Sequence, residues 1–316
     1  MSKIQDAIRK IQATQVKPVE KPQPATAPVS ASTPDSQVAS VVRKALSEQD
    51  IEEMRHLEDG EAYVEFDFDM LRRAGLLAPV NQQRHIADQY RLIKRPLLDN
   101  ASGRGPYQAS DANLIMVASP LPGDGKTFNC INLALSMATE KDKSVLLVDA
   151  DVAKPHISSL FGLENELGLI DLLTDKSLKV GDLLLKTNIP GLRLLPAGGH
   201  DDNATELLAS RRMASIVDEM SKRFPDRVVI FDSPPLLVTS EARILASLMG
   251  QIALVICSGR TPQQAVLQAA ESLDQHKAIS IILNQSSQGF GDDSFGAYGA
   301  YGYGSRVASD IARPAE

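Results

Sequence analysis

A chain of 316 residues with 43% hydrophobic content can bury one sizeable α/β core and still carry peripheral segments. Its net charge of −7 argues against a nucleic-acid surface, which needs clustered Lys and Arg, so nucleic acid is set aside as a partner. No apolar run approaches the roughly 18 residues of a membrane-spanning helix, and the N-terminus lacks the apolar core of a secretory signal, so a cytoplasmic chain is expected. Cys130 and Cys257 lack metal-ligand spacing and read as buried structural thiols, and the histidines His56, His85, His156, His200 and His276 form no ligand pattern.

Taken in chain order, residues 1–12 place Ile4, Ile8 and Ile11 on one helical face. Docking of this short helix on a partner or membrane surface and weak packing on its own protein are both open. Residues 13–37 shift to Pro, Ala, Ser and Thr and read as an extended linker. Residues 38–81 form a small adaptor region, with helical patterns at Val38–Gln49 and Leu71–Leu77 around the acidic, aromatic stretch Glu61–Asp69. From residue 82 to 284 the pattern is regular, beginning with a helix through Ile86, Tyr90, Ile93 and Leu97. Strands are expected at 113–118, 144–149, 192–196, 227–232, 251–257 and 279–284, and helices at 125–140, 203–223, 239–248 and 261–276. Strands that are apolar throughout, without alternation, imply a parallel sheet covered on both faces, with ligands at the carboxyl ends of the strands.

At one such end, Ala118-Ser119-Pro120-Leu121-Pro122-Gly123-Asp124-Gly125-Lys126-Thr127 follows the run Leu114-Ile115-Met116-Val117 and opens a helix. It reads as a phosphate-binding loop, with backbone N–H groups converging on phosphate oxygens and Lys126 and Thr127 placed for phosphate and Mg²⁺. The expected fold is therefore an α/β P-loop NTPase of the deviant Walker A type. The loop departs from the general pattern at Pro120, where Gly is usual, and holds Leu121 where partitioning ATPases carry a second Lys. Asp149 and Asp151 end one core strand and Asp232 ends another, where Mg²⁺ takes one or two carboxylates. For each acid alone, a cap or turn role is the competing reading. Asn284, ending the last strand, is placed to meet an adenine edge or simply to form a turn. Residues 285–316 are a flexible Gly-rich tail carrying Tyr298, Tyr301 and Tyr303 among the chain's six tyrosines. The tail leaves the same sheet edge as the loop, and the stretch from Asn284 to Tyr298 spans on the order of 20 Å, so a tyrosine and a γ-phosphate can meet. In such a transfer Asp149 or Asp151 would orient the phenol while Lys126 and Mg²⁺ stabilise charge.

With these motifs in place, residues 82–304 resemble the bacterial P-loop tyrosine autokinases of capsule and exopolysaccharide loci, particularly the exosortase-associated branch. The resemblance rests on Pro122 to Thr127, Asp149-Ala150-Asp151, Asp232, Glu206-Leu207-Leu208 and the terminal tyrosines. It implies ATP and Mg²⁺ as cofactors, nucleotide contacts from Pro122 through Phe128 and from Asn284, catalysis by Lys126, Asp149, Asp151 and Asp232, and metal binding by Thr127, Asp151 and Asp232. Tyr298, Tyr301 and Tyr303 would be the phosphate acceptors, modified in trans by neighbouring subunits. The family's oligomerisation motif, Glu with two Arg at three-residue spacing, corresponds to Asp88, Arg91 and Lys94. Where the family's second motif has Arg, this chain has Ala153, followed by Lys154. The resemblance also implies activation by a separate membrane-embedded polysaccharide co-polymerase, which would hold the chain peripheral to the inner membrane. A partitioning-type regulatory ATPase and a non-catalytic scaffold are the alternatives.

Overall fold

A computed structural model describes residues 62–77, 84–109, 111–223 and 226–286. The expected N-terminal helix, the linker, the Val38–Gln49 pattern and the tail tyrosines lie outside the described residues. Eight strands form one sheet in the order β1-β4-β5-β3-β6-β2-β7-β8. The strands are β1 (Tyr63–Val64), β2 (Leu114–Ala118), β3 (Ser144–Asp149), β4 (Leu185–Thr187), β5 (Leu192–Leu195), β6 (Arg227–Asp232), β7 (Gln251–Cys257) and β8 (Ala278–Asn284). All neighbouring pairs are parallel except β4 with β5.

The central strands are buried along nearly their whole length because alternate side chains feed two cores. Ile115, Val117, Val145, Leu147, Val228, Ile230, Ala253 and Val255 point to one face. Leu114, Met116, Leu146, Val148, Val229, Phe231, Ile252 and Leu254 point to the other. The inner positions of such a strand are apolar whichever face they meet, which is why these runs lack alternation. The first face is covered by α1 (Phe68–Arg73), α2 (Arg84–Ala101), α3 (Lys126–Met137) and α4 (His156–Leu160). The second is covered by α5 (Leu169–Thr174), α6 (Ala204–Leu208), α7 (Arg211–Arg223), α8 (Ser240–Leu248) and α9 (Gln263–Glu271).

Several elements differ from the pattern read along the chain. Residues 62–77 are built into the sheet: β1 pairs with β4, Val64, Phe66, Met70 and Leu71 are buried, and the Leu77 amide donates to Asn132 of α3 at 2.7 Å. The helical stretch there is Phe68–Arg73, started by the Asp67 side chain accepting from the Asp69 amide. The single helix expected at 203–223 is two, because the chain turns at Ala209 and Ser210, whose hydroxyl accepts from the Met213 amide and starts the second helix. Helices α4 and α5, the 3-10 turn Val180–Leu183 and the short strands β1 and β4 carry too few residues to show a period.

Candidate active site

The loop between β2 and α3 owes its shape to two glycines, Gly123 at φ 81° and Gly125 at φ 94°, conformations that other residues rarely adopt. A Cβ on Gly125 would also sit 2.1 Å from Asn284 Nδ2, so the Asn284 side chain would have to move to admit one. Gly125 is the N-cap of α3, and no acidic residue occupies that helix's first turn. The positive end of the helix therefore faces the loop without a protein anion of its own in that turn.

Three acids converge on the same sheet edge. Asp149 and Asp232 are register partners on the adjacent parallel strands β3 and β6. Asp149, Asp151 and Asp232 are each 3% exposed or less. Lys126 Nζ lies 2.8 Å from Asp151 Oδ2 and 3.7 Å from Asp232 Oδ2. It also donates to the Thr127 hydroxyl at 3.1 Å, and that hydroxyl donates to Asp232 Oδ2 at 2.7 Å. Burial, and then the neighbouring Asp232 charge, push the Asp149 carboxyl up to about 7, against two hydrogen bonds from Ser158 that act the other way. Those bonds come from the Ser158 amide and hydroxyl, both to Asp149 Oδ2 at 2.8 Å. The Ser158 hydroxyl in turn accepts from the Ala197 amide at 3.0 Å.

This arrangement fits a nucleotide with a divalent cation. Three buried acids share one sheet edge, Lys126 pairs with Asp151 and Asp232, and Asp149 Oδ1 is buried without a hydrogen-bond partner. Among the described residues no three acidic, His or Cys side chains form a ready-made metal cage. Mg²⁺ keeps several waters and takes one or two carboxylates together with phosphate oxygens, and Asp151 and Asp232 could supply those carboxylates.

Other expected site residues take more specific places. Pro122 is exposed, Leu121 and Phe128 are half-buried, and the Phe128 ring lies within 3.6 Å of where a Cβ on Gly75 would be. Asp124 engages its carboxylate within the protein, accepting from the Leu121 amide at 3.0 Å and from the Thr261 hydroxyl at 2.6 Å. The Asn284 side-chain amide donates to the Asp124 carbonyl at 2.9 Å. Of the three residues matched to an oligomerisation motif, Asp88 and Arg91 form an exposed ion pair with each other on α2. Lys94 departs from that expectation: it is 3% exposed, donates to the Ser136 carbonyl at 2.6 Å and the Thr139 hydroxyl at 3.2 Å, and pairs with Glu140 at 2.7 Å. It caps the C-terminal end of α3 within the same chain. Both cysteines are buried and unbridged.

Residues 112–260 match a family described as an AAA domain. The tyrosine-protein kinase YwqD of Bacillus subtilis is 36% identical over 172 residues, covering 54% of this chain and 71% of that relative. The chain belongs to the family of bacterial tyrosine-protein kinases. The putative tyrosine-protein kinase EpsB of Ralstonia nicotianae is 32% identical over 213 residues, which are 64% of this chain but 28% of that much longer relative. In fold, this tyrosine-kinase chain is similar to the kinase domain of the Escherichia coli tyrosine kinase ETK, with a TM-score of 0.57 at 23% identity, covering 83% of this chain and 91% of that one. The AAA-domain match runs from Ala112, just before β2, to Arg260, so it spans the loop and all three acids.

Ser158, Arg260, Thr261 and Asn129 were not singled out by sequence. Asn129 donates to the Gly125 carbonyl at 2.9 Å and accepts from the Tyr90 hydroxyl at 2.9 Å, and Arg260 donates to the Gly123 carbonyl. The available signal for the β7–α9 loop was the turn Ser258-Gly259-Arg260-Thr261-Pro262 directly after a core strand, at the edge where ligands bind.

Proposed function

We propose that this chain is an ATP-dependent protein-tyrosine autokinase that phosphorylates Tyr298, Tyr301 and Tyr303 of neighbouring subunits' tails. The observation that carries this reading is the cluster in which Lys126 bridges Asp151 and Asp232 beside Thr127, at the foot of a loop that holds Leu121 where switch ATPases place a second lysine. A hydrolytic switch needs that lysine on its transition state, whereas a tethered phenol needs positioning. Bound ATP with Mg²⁺ supplies the phosphoryl group and the electrophilic charge around it.

The chain's own groups have distinct tasks. The amides around Gly123 and Gly125 and the Lys126 ammonium take the phosphates, with Lys126 leaving the carboxylates to do so. Thr127, Asp151 and Asp232 would hold the metal. Asp149, held by Ser158, keeps Oδ1 available to orient a phenol and, in its ionised form, to accept the phenol's proton late in the transfer. Pro122, Phe128 and Asn284 complete the nucleotide's surroundings.

Among the described residues no helix is long and apolar enough to cross a membrane. We place the kinase in the cytoplasm, in the exosortase-associated branch, regulating exopolysaccharide synthesis and held at the inner membrane by a polysaccharide co-polymerase. Self-assembly would use the exposed Asp88 and Arg91. Phosphotyrosine detection on purified protein incubated with Mg²⁺ and ATP tests the reading. Wild type gains phosphotyrosine and Lys126→Met does not; equal labelling of both would sink the mechanism.

A further inference from the structure

The loop after β7 joins the phosphate-binding loop through a residue with no role so far. We infer that Thr261 is a positioning residue that fixes the phosphate-binding loop in its nucleotide-receiving shape, an inference that rests on the ATP-dependent reading above.

The Thr261 hydroxyl accepts from the Cys257 amide at 2.9 Å and donates its one proton to Asp124 Oδ1 at 2.6 Å. Asp124 Oδ2 accepts from the Leu121 amide at 3.0 Å. The Asp124 carbonyl accepts from Asn284 at 2.9 Å, and the Asn284 carbonyl accepts from the Ser258 amide at 2.8 Å. Asp124 is thus fastened at its side chain to the end of β7 and at its backbone to the end of β8. It is 2% exposed, so water competes little for these bonds.

The need for such a fastening follows from the glycines. Asp124 sits between Gly123 and Gly125, both at positive φ. Glycine permits that conformation but does not select it, because it visits negative φ as readily. A residue pinned at both its carboxylate and its carbonyl removes that freedom on both sides at once, so the amides stay converged before any ligand arrives. The Arg260 guanidinium, which donates to the Gly123 carbonyl, braces the loop from the same element.

The test compares Thr261→Val, which keeps shape but loses the hydroxyl, with Thr261→Ser, which keeps it. In the nucleotide-free full chain, amide hydrogen exchange at Leu121 should quicken about tenfold or more in Thr261→Val and stay near wild type in Thr261→Ser. With Mg²⁺ and a fluorescent ATP analogue, the valine variant should bind about tenfold more weakly and the serine variant within about threefold. Unchanged exchange in Thr261→Val overturns the proposal, and so does faster exchange with unaltered affinity. Failure of the wild type to bind the analogue overturns the ATP reading instead, and the exchange comparison then judges the fastening alone. If Thr261→Val does not fold, Asp124→Asn carries both measurements, since its amide can serve Thr261 or Leu121 as an acceptor but not both. The same losses are expected, and wild-type behaviour overturns the proposal.

Discussion

Lys94→Met separates an internal cap from a subunit contact. The substitution keeps most of the apolar stem but removes an ammonium that is 3% exposed and serves the Ser136 carbonyl, the Thr139 hydroxyl and Glu140. A hydrogen bond to an ionised group contributes about 1.5–3 kcal/mol net, and breaking a buried pair costs about 3–5 kcal/mol. Glu140 is 34% exposed, so solvent takes over part of its share, and the expected loss is about 2–3 kcal/mol. For a domain of this size that lowers Tm by about 5–10 °C. The pH dependence has a defined sign. Hydrogen bonding to Lys94 holds the Glu140 carboxyl below the usual carboxylate range, so its contribution is present above the unfolded-state value and is lost as pH falls through the lower folded one. The gap between wild type and variant should therefore narrow from pH 7 to pH 3 in thermal unfolding. Sedimentation velocity on the same samples supplies the counter-test. A variant with unchanged Tm but a smaller assembly would refute the capping account and return Lys94 to a subunit interface.

Further outcomes follow from the acids and the loop. Asp149 holds its proton up to about pH 7 in the folded state, above the ordinary carboxylate value, so its contribution to stability declines as pH rises between about 4 and 7. Asp149→Asn should relieve this penalty, raising the Tm of the nucleotide-free protein at pH 7.5 while abolishing phosphotransfer; a lower Tm in that variant would contradict it. Gly125→Ala must meet Asn284 at 2.1 Å and hold φ 94°, which alone costs about 1–2 kcal/mol, so ATP-analogue affinity should fall at least about tenfold. Adding Asn284→Ala should relieve the clash but not the backbone strain, giving partial recovery, and full recovery would show that the strain is negligible.

Much of the centre of the molecule was legible because burial on both faces leaves a plain mark. β2, β3, β6 and β7 each carry an unbroken apolar run, and the acids that end β3 and β6 stand out against those runs. The sheet's far edge was not legible, since Tyr63–Val64 and Leu185–Thr187 are too short to show alternation and β4 runs antiparallel to β5. Within the site, Lys126, Thr127, Asp151 and Asp232 lie in contact, and Asp149 is the register partner of Asp232. Thr261, Arg260 and Ser158 were hidden, because a polar residue in a turn reads as a turn former until its partner is seen. Lys94 shows the limit of helical spacing, which puts it on the face of Asp88 and Arg91 while its long stem carries the ammonium under the end of α3.

The proposed transfer carries phosphate from this site to the tail tyrosines of another copy. The direct measurement mixes a chain truncated after Ser286, as donor, with the full-length Lys126→Met chain, as acceptor, in Mg²⁺ and ATP, followed by mass spectrometry of the acceptor. Phosphate on Tyr298, Tyr301 or Tyr303 that depends on the donor is the predicted result. An unmodified acceptor beside a wild-type chain that phosphorylates itself would contradict transfer between copies, and an unmodified tail in both would contradict the kinase account itself.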